Sequence, residues 1–357
     1  MDVSAKVTGI KYNPLLCREL PLYEFKNLET ALSCSASFVL RVDDNTKIAV
    51  SWWVSPKRTR SYPYARVYDT LGFQGKRVTI IPILKDEGKE GDRDFLQWDT
   101  VSLMSLLNVY TIIAFYSSAE GSTTYAQKIT NQRFEISQIK DEINKLLSFQ
   151  SDPLHWNLSQ ISNIELIGQK ALESYDIISR DCNVEMHSKK AAEKWIKGIL
   201  RDKNAFMNFS RELAEEAQRR EVITVQPKEN LESGSKAALT IKNYLGGLYY
   251  FTADEIHISG DKMFLVEGKH SSDEMLPSIN DVKDGLIKMV LFSNLTGLEF
   301  ESSQYLPIAV LKLTSNNFSI EKLKEAQIEM LKLLKKESET NNFCVIINDF
   351  NLKDLQI

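Results

Sequence analysis

The sequence predicts an α/β protein, and three observations carry that reading. Short β-branched runs punctuated by turn residues fill residues 1–130, apolar positions at helical spacing dominate 131–225, and strand-like and helix-like segments alternate over 226–357. Alternation of that kind is the pattern of helices packed on a mixed sheet. A chain of 357 residues is long enough for two or three domains. The three stretches are its divisions on this reading: a mixed α/β region, a helical segment and a C-terminal α/β domain.

Taken in order, Ser37–Val42 and Ile48–Val54 read as strands on either side of the turn signal Asp43-Asp44-Asn45. Arg77–Leu84 reads as a further strand, and Pro82 within it points to an edge or a bulge. Thr100–Leu107 suits a helix and Leu107–Tyr116 a buried strand, although periodicity alone does not separate the two. Phe134, Ile136, Ile139, Ile143, Leu146 and Leu147 recur at helical spacing. Leu158, Ile161, Ile164, Leu166, Ile167 and Leu172 do so less regularly. Lys189–Arg220 is rich in Ala, Glu, Lys and Arg, with Trp195, Ile199, Phe206 and Leu213 as inward positions. Gln226–Ser235 is the best loop candidate of the second half. Ser235 then caps an expected helix through Leu245, ended by Gly246-Gly247. Two strands, 254–258 and 262–269, a helix over Pro277–Leu295, a strand at Ile308–Leu313, a helix at Ile320–Lys336 and a strand at Phe343–Ile347 complete the domain.

Composition narrows the function. The net charge of −4 argues against a protein that coats nucleic acid nonspecifically, but leaves room for a local basic cleft. No apolar run approaches the ~20 residues of a membrane span. The opening Met-Asp-Val-Ser-Ala-Lys lacks the apolar core of a signal peptide, so the expectation is a cytoplasmic protein without membrane contact. Cys17, Cys34, Cys182 and Cys344 are scattered and read as free thiols. His155, His187, His257 and His270 show no ligand spacing. Neither a Gly-x-x-x-x-Gly-Lys-Ser/Thr phosphate loop nor a Gly-x-Ser-x-Gly elbow is present.

The chemistry concentrates between Asp254 and Lys269. Asp254 opens an apolar strand, Ser259-Gly260-Asp261 turns the chain, and a second strand ends in Glu267-Gly268-Lys269. Residues two apart in a strand share a face, so Glu267 and Lys269 project together, and the hairpin brings Asp254 beside Glu267. Two carboxylates can hold a hard divalent cation, with an ammonium beside an attacked phosphate. Glu255 is a rival to Asp254, and Asp261 lies in the turn. The bland alternative is a turn-forming Asp and a same-face ion pair of little energetic weight.

Asp254…Glu267-Gly268-Lys269 resembles the signature of the PD-(D/E)XK nuclease superfamily, which includes most type II restriction endonucleases. Members carry an acidic residue at the start of one strand and Glu or Asp, any residue, then Lys on the adjoining one. They set these in a mixed sheet with a helix before and another after. The resemblance covers about residues 230–350 and implies a mixed-sheet α/β/α, restriction-endonuclease-like core. Ala253, in place of a signature proline that members often lack, and Gly268 at the variable position are departures. The implied activity is Mg²⁺-dependent hydrolysis of double-stranded DNA at a short specific sequence by a homodimer. Asp254, Glu267 and Lys269 would be catalytic, Asp254 and Glu267 would hold Mg²⁺, and Glu232, with Glu229 behind it, is the candidate for an assisting third carboxylate. The alternatives are a repair or defence nuclease of other specificity, or a non-catalytic DNA-binding protein on a nuclease-like fold.

Basic and aromatic residues also cluster over Trp52–Arg66, followed by Lys76-Arg77. Lys57, Arg58, Arg60 and Arg66, with His270 beside Lys269, are the candidate DNA contacts. Glu90–Asp99 is dense in carboxylates and reads as a second metal site, a partner-binding loop or, most simply, the approach to a helix capped by Asp99 or Thr100.

Overall fold

The computed structural model describes residues 2–57, 63–200, 235–243 and 248–355. It is a mixed α/β structure in two compact units, one of residues 20–210 and one formed by 1–19 with 211–357. None of the described helices is long and apolar enough to cross a membrane.

The strands are β1 (Asp2–Val7), β2 (Leu22–Glu24), β3 (Ser37–Arg41), β4 (Lys47–Trp52), β5 (Arg77–Pro82), β6 (Leu84–Asp86), β7 (Arg93–Phe95), β8 (Tyr110–Ala114), β9 (Tyr116–Gly121) and β10 (Ile129–Phe134). They continue with β11 (Ser235–Asn243), β12 (Leu248–Ser259), β13 (Lys262–Ser271), β14 (Leu295–Phe300), β15 (Ser303–Ser315), β16 (Cys344–Ile347) and β17 (Phe350–Asn351). The helices are α1 (Leu28–Cys34), α2 (Pro63–Tyr68), α3 (Trp98–Leu106), α4 (Ile136–Ser148), α5 (Pro153–Ser162), α6 (Ile164–Cys182), α7 (Lys189–Leu200), α8 (Ile279–Phe292) and α9 (Glu325–Thr340).

The 20–210 unit is built on a sheet of order β2-β3-β4-β5-β8. β3 and β4 form the expected hairpin, with Asp43 Oδ1 accepting from the amides of Asn45 (2.9 Å) and Thr46 (2.8 Å). β4, β5 and β8 run parallel and are almost wholly buried, as strands covered on both faces must be. Pro82 thus marks neither an edge nor a bulge. It is the last residue of an interior strand, where a missing donor costs the ladder only its end. The free edge of β8 is satisfied by side chains of α5 and α4. Asn157 Oδ1 accepts from Thr111 N (2.7 Å), Gln160 Oε1 accepts from Ile113 N (3.2 Å), Trp156 Nε1 donates to Thr111 O (2.8 Å), and Gln138 Nε2 donates to Ile113 O (3.0 Å). Covering an edge in this way removes a template for aggregation.

The helical run starts only at Ile136, because 129–134 pair with β9 as a strand. The irregular spacing after Leu158 has a plain cause: α5 ends at Ser162 and α6 begins at Ile164, so two helices with different faces meet at Asn163. The N-cap position of α3 is Gln97, which makes no side-chain cap, so Asp99 and Thr100 fall at positions inside the helix.

In the other unit the sheet order is β13-β12-β11-β1-β14-β15-β16-β17, and β13 also pairs with β15. β11, β12 and β13 form an antiparallel meander. The chain then passes through α8 and the hairpin strand β14 to β15, which runs parallel to β13, and α9 crosses to β16, parallel to β15. β1 inserts between β11 and β14. Where a helix is expected over 235–245, the described residues 235–243 form a strand. Leu239 and Ile241 are buried while Thr240 is half-buried and Lys242 exposed, a period of two set by pairing with β1 and β12. α8 stops at Phe292 rather than Leu295, which opens β14, and β14 turns into β15 through Glu301 and Ser302 at φ 49° and 64°. α9 starts at Glu325, later than Ile320, and its first turn is closed by Gln327 Oε1, which accepts from Lys324 N at 3.0 Å. Buried Glu337 of α9 ties down the N-terminal segment: its oxygens accept from Tyr12 OH (2.7 Å), Leu15 N (2.8 Å) and Leu16 N (3.0 Å).

Candidate active site

The β12–β13 hairpin turns at Gly260, whose φ of +62° is one that glycine adopts without strain. Its register opposes Glu255 to Val266 and Ile258 to Met263, which sets Asp254 next to Glu267. Asp254 does not open its strand: it stands within β12, at an irregularity in the pairing with β11 between Ala253 and Ile256. A bulge re-aims side chains, and such features gather beside active sites. Here Asp254 Oδ2 accepts from Gly268 N at 2.8 Å, fixing its carboxyl against the Glu-x-Lys segment.

Glu267 is 1% exposed and Asp254 9%. Lys269 Nζ lies 2.9 Å from Glu267 Oε1 and 2.8 Å from Asp284 Oδ2. Lys288 Nζ lies 2.6 Å from Glu267 Oε2 and donates to the Thr252 carbonyl at 3.0 Å. Asp284 and Lys288 are one helical turn apart on α8, which starts at Ser278, whose hydroxyl accepts from Asp281 N at 3.2 Å. Gly285 lets this helix come close. A Cβ there would lie 2.7 Å from Leu311 Cδ1 and 3.3 Å from Lys269 Cε, so the absent side chain is the space along which Lys269 runs.

Burial pushes the Asp254 carboxyl up from 3.8 to about 7, and the charge of Glu267 adds to it, while Lys288 opposes. The two carboxylates are close enough to share a proton. A place that accommodates a proton between two buried carboxylates also suits a small hard cation, which Mg²⁺ sites commonly hold through one or two carboxylates and water. Among the described residues no group of three or more His, Cys, Asp and Glu side chains is arranged to hold a metal. Asp254 and Glu267 are the pair available, and Glu232 and Glu229 lie outside the described residues.

The remaining described candidates each have partners of their own. Glu255, the rival of Asp254, points to the opposite face, where it meets His257 and has Lys312 at 3.6 Å. His270 also alternates away from Lys269, and its Nδ1 is 2.9 Å from Thr314 Oγ1. Lys57 pairs with Asp94 at 3.0 Å, and Asp94 also accepts from Ser55 Oγ at 2.6 Å. Arg66 donates to the Trp52 carbonyl at 2.9 Å and stacks on the Trp52 ring at 4.4 Å. Lys76 caps α4, donating to the carbonyls of Leu146 (2.6 Å) and Phe149 (2.7 Å). Arg58 and Arg60 lie outside the described residues.

Sequence reasoning finds a weaker family likeness over Asp284–Met289 but does not name Asp284 and Lys288 as site residues, although a further signal was there. They are charged residues within a helix whose positions 282–292 are all buried. Charges in such a helix need partners, and a buried partner is a reason to look for a site. No family model matches the sequence, no curated protein matches it, and no solved structure matches the chain.

Proposed function

We propose that this chain is a Mg²⁺-dependent nuclease of the PD-(D/E)XK type, most specifically a type II restriction endonuclease that hydrolyses double-stranded DNA at a short sequence. The observation that carries the reading is the juxtaposition of two buried carboxylates, Asp254 and Glu267, with Lys269 on the same face. The strand arrangement supports it, with an acid on β12, Glu-x-Lys on the adjoining β13 and a helix after them in a mixed sheet. The helix expected just before the motif is instead β11, which weakens that part of the resemblance.

In this reading Asp254 and Glu267 hold the cation. Bound Mg²⁺ supplies positive charge beside the scissile phosphate and makes a water more acidic. Glu267 and Asp284 hold the Lys269 ammonium in place, so that its charge faces the phosphate oxygens as negative charge builds on them. Asp284 thereby acts as a positioning residue. Partners follow as part of the proposal: duplex DNA, and a second copy of the chain, since two-fold sequences are matched by two-fold proteins.

The test is incubation of the full chain with plasmid and phage DNA and Mg²⁺. Discrete fragments from wild type and none from Lys269→Ala are expected. Intact DNA from wild type across several substrates, with Mn²⁺ also supplied, overturns the reading.

A further inference from the structure

α8 delivers two charged side chains to the carboxylate pair, and they serve different partners. Asp284 holds Lys269. Lys288 is clamped between Glu267 Oε2 and the Thr252 carbonyl, and at 3% exposure it lies too deep to meet a substrate phosphate. A buried ammonium is costly unless paired and hydrogen-bonded, and an apolar side chain often replaces a buried ion pair without loss. Its neighbours Ile287 and Met289 are fully buried and apolar. The lysine therefore calls for an explanation other than packing.

We propose that Lys288 is the resident counter-ion of the Asp254–Glu267 pair, holding both carboxylates together before a divalent cation arrives and opposing that cation once it binds. The inference rests on the reading of Asp254 and Glu267 as cation ligands. Two carboxylates buried side by side repel strongly in a poorly screened interior, and an ammonium 2.6 Å from one of them offsets that repulsion. A divalent cation meeting the same oxygens meets the charge of Lys288 as well, so its affinity is lowered. The lysine also leaves the loaded site more positive, which favours an anionic ligand such as a phosphodiester. Lys288 is thus a positioning residue that sets cation affinity.

The experiment is Mn²⁺ binding to the full chain, followed by the electron paramagnetic resonance signal of the free ion, for wild type, Glu267→Gln, Lys288→Gln and Lys288→Met. Glutamine keeps a hydrogen-bond donor at position 288 and removes the charge, and methionine keeps the length. The expected result is Mn²⁺ binding by wild type, its loss in Glu267→Gln, and about tenfold or more tighter binding in both Lys288 variants. A Lys288 variant that folds only with Mn²⁺ present also supports the inference. Equal or weaker binding in the Lys288 variants, with wild type binding and Glu267→Gln not, overturns the counter-ion role and leaves the cation site standing. Both variants unfolded with and without Mn²⁺ overturns it too, because the lysine then acts through structure. No Mn²⁺ binding by wild type overturns the cation reading and this inference with it.

Discussion

Replacing Asp254 by Asn separates a site held together for function from a hairpin with ordinary charges. Asp254 holds its proton to about pH 7 when folded, against an ordinary value of 3.8. Between those values the folded protein binds a proton that the unfolded chain has released, so stability falls as pH rises through that window. At 1.36 kcal/mol per pH unit the full cost is about 4 kcal/mol above pH 7. It is absent below about pH 4, where both states are protonated. Asparagine is the uncharged analogue of the protonated acid. Its oxygen can still accept from Gly268 N, the bond that Asp254 makes at 2.8 Å, and its amide can donate to Glu267. Asp254→Asn should therefore be the more stable protein at pH 8, by up to about 4 kcal/mol, and should converge on wild type near pH 4. The assay is urea unfolding of both proteins from pH 4 to 8 with EDTA present, so that no cation compensates the wild-type charge. A variant less stable than wild type at pH 8, or a difference that does not change with pH, refutes the reasoning.

Two further substitutions probe what surrounds the site. Gly285→Ala places a Cβ 2.7 Å from Leu311 Cδ1 and 3.3 Å from Lys269 Cε. Overpacking should outweigh the better helix propensity, for a net loss of about 1 kcal/mol in urea unfolding. Cleavage should fall further than that loss explains because Lys269 is displaced, and unchanged stability and rate would contradict the packing argument. Glu337→Ala strands Tyr12 OH and the amides of Leu15 and Leu16. A loss of about 3 kcal/mol or more is expected, with Glu337→Gln milder, and a loss under about 1 kcal/mol would show that the anchored segment is not held by this carboxylate.

Local chemistry made some elements legible and long-range pairing hid others. The β12–β13 hairpin announced itself because apolar residues flank a Gly turn, and the side-chain period of two then placed Glu267 and Lys269 together. The same period puts His270 on the opposite face, so adjacency to Lys269 in sequence meant separation in space. β11 was hidden because its Ser, Ala and Lys residues read locally as a capped helix, while the strand is imposed by β1, more than two hundred residues away, and by β12. β1 itself has no local mark that assigns it to the distant sheet. Asp284 and Lys288 are charged positions on a periodic helix, and only the approach permitted by Gly285 shows which strand they face.

The central claim is that Asp254, Glu267 and Lys269 form a centre that cuts DNA. Its most direct test is Glu267→Gln assayed for both cleavage and binding on a DNA that wild type cleaves with Mg²⁺. The prediction is cleavage lost and binding to the same DNA retained. Cleavage by Glu267→Gln at the wild-type rate would contradict the account.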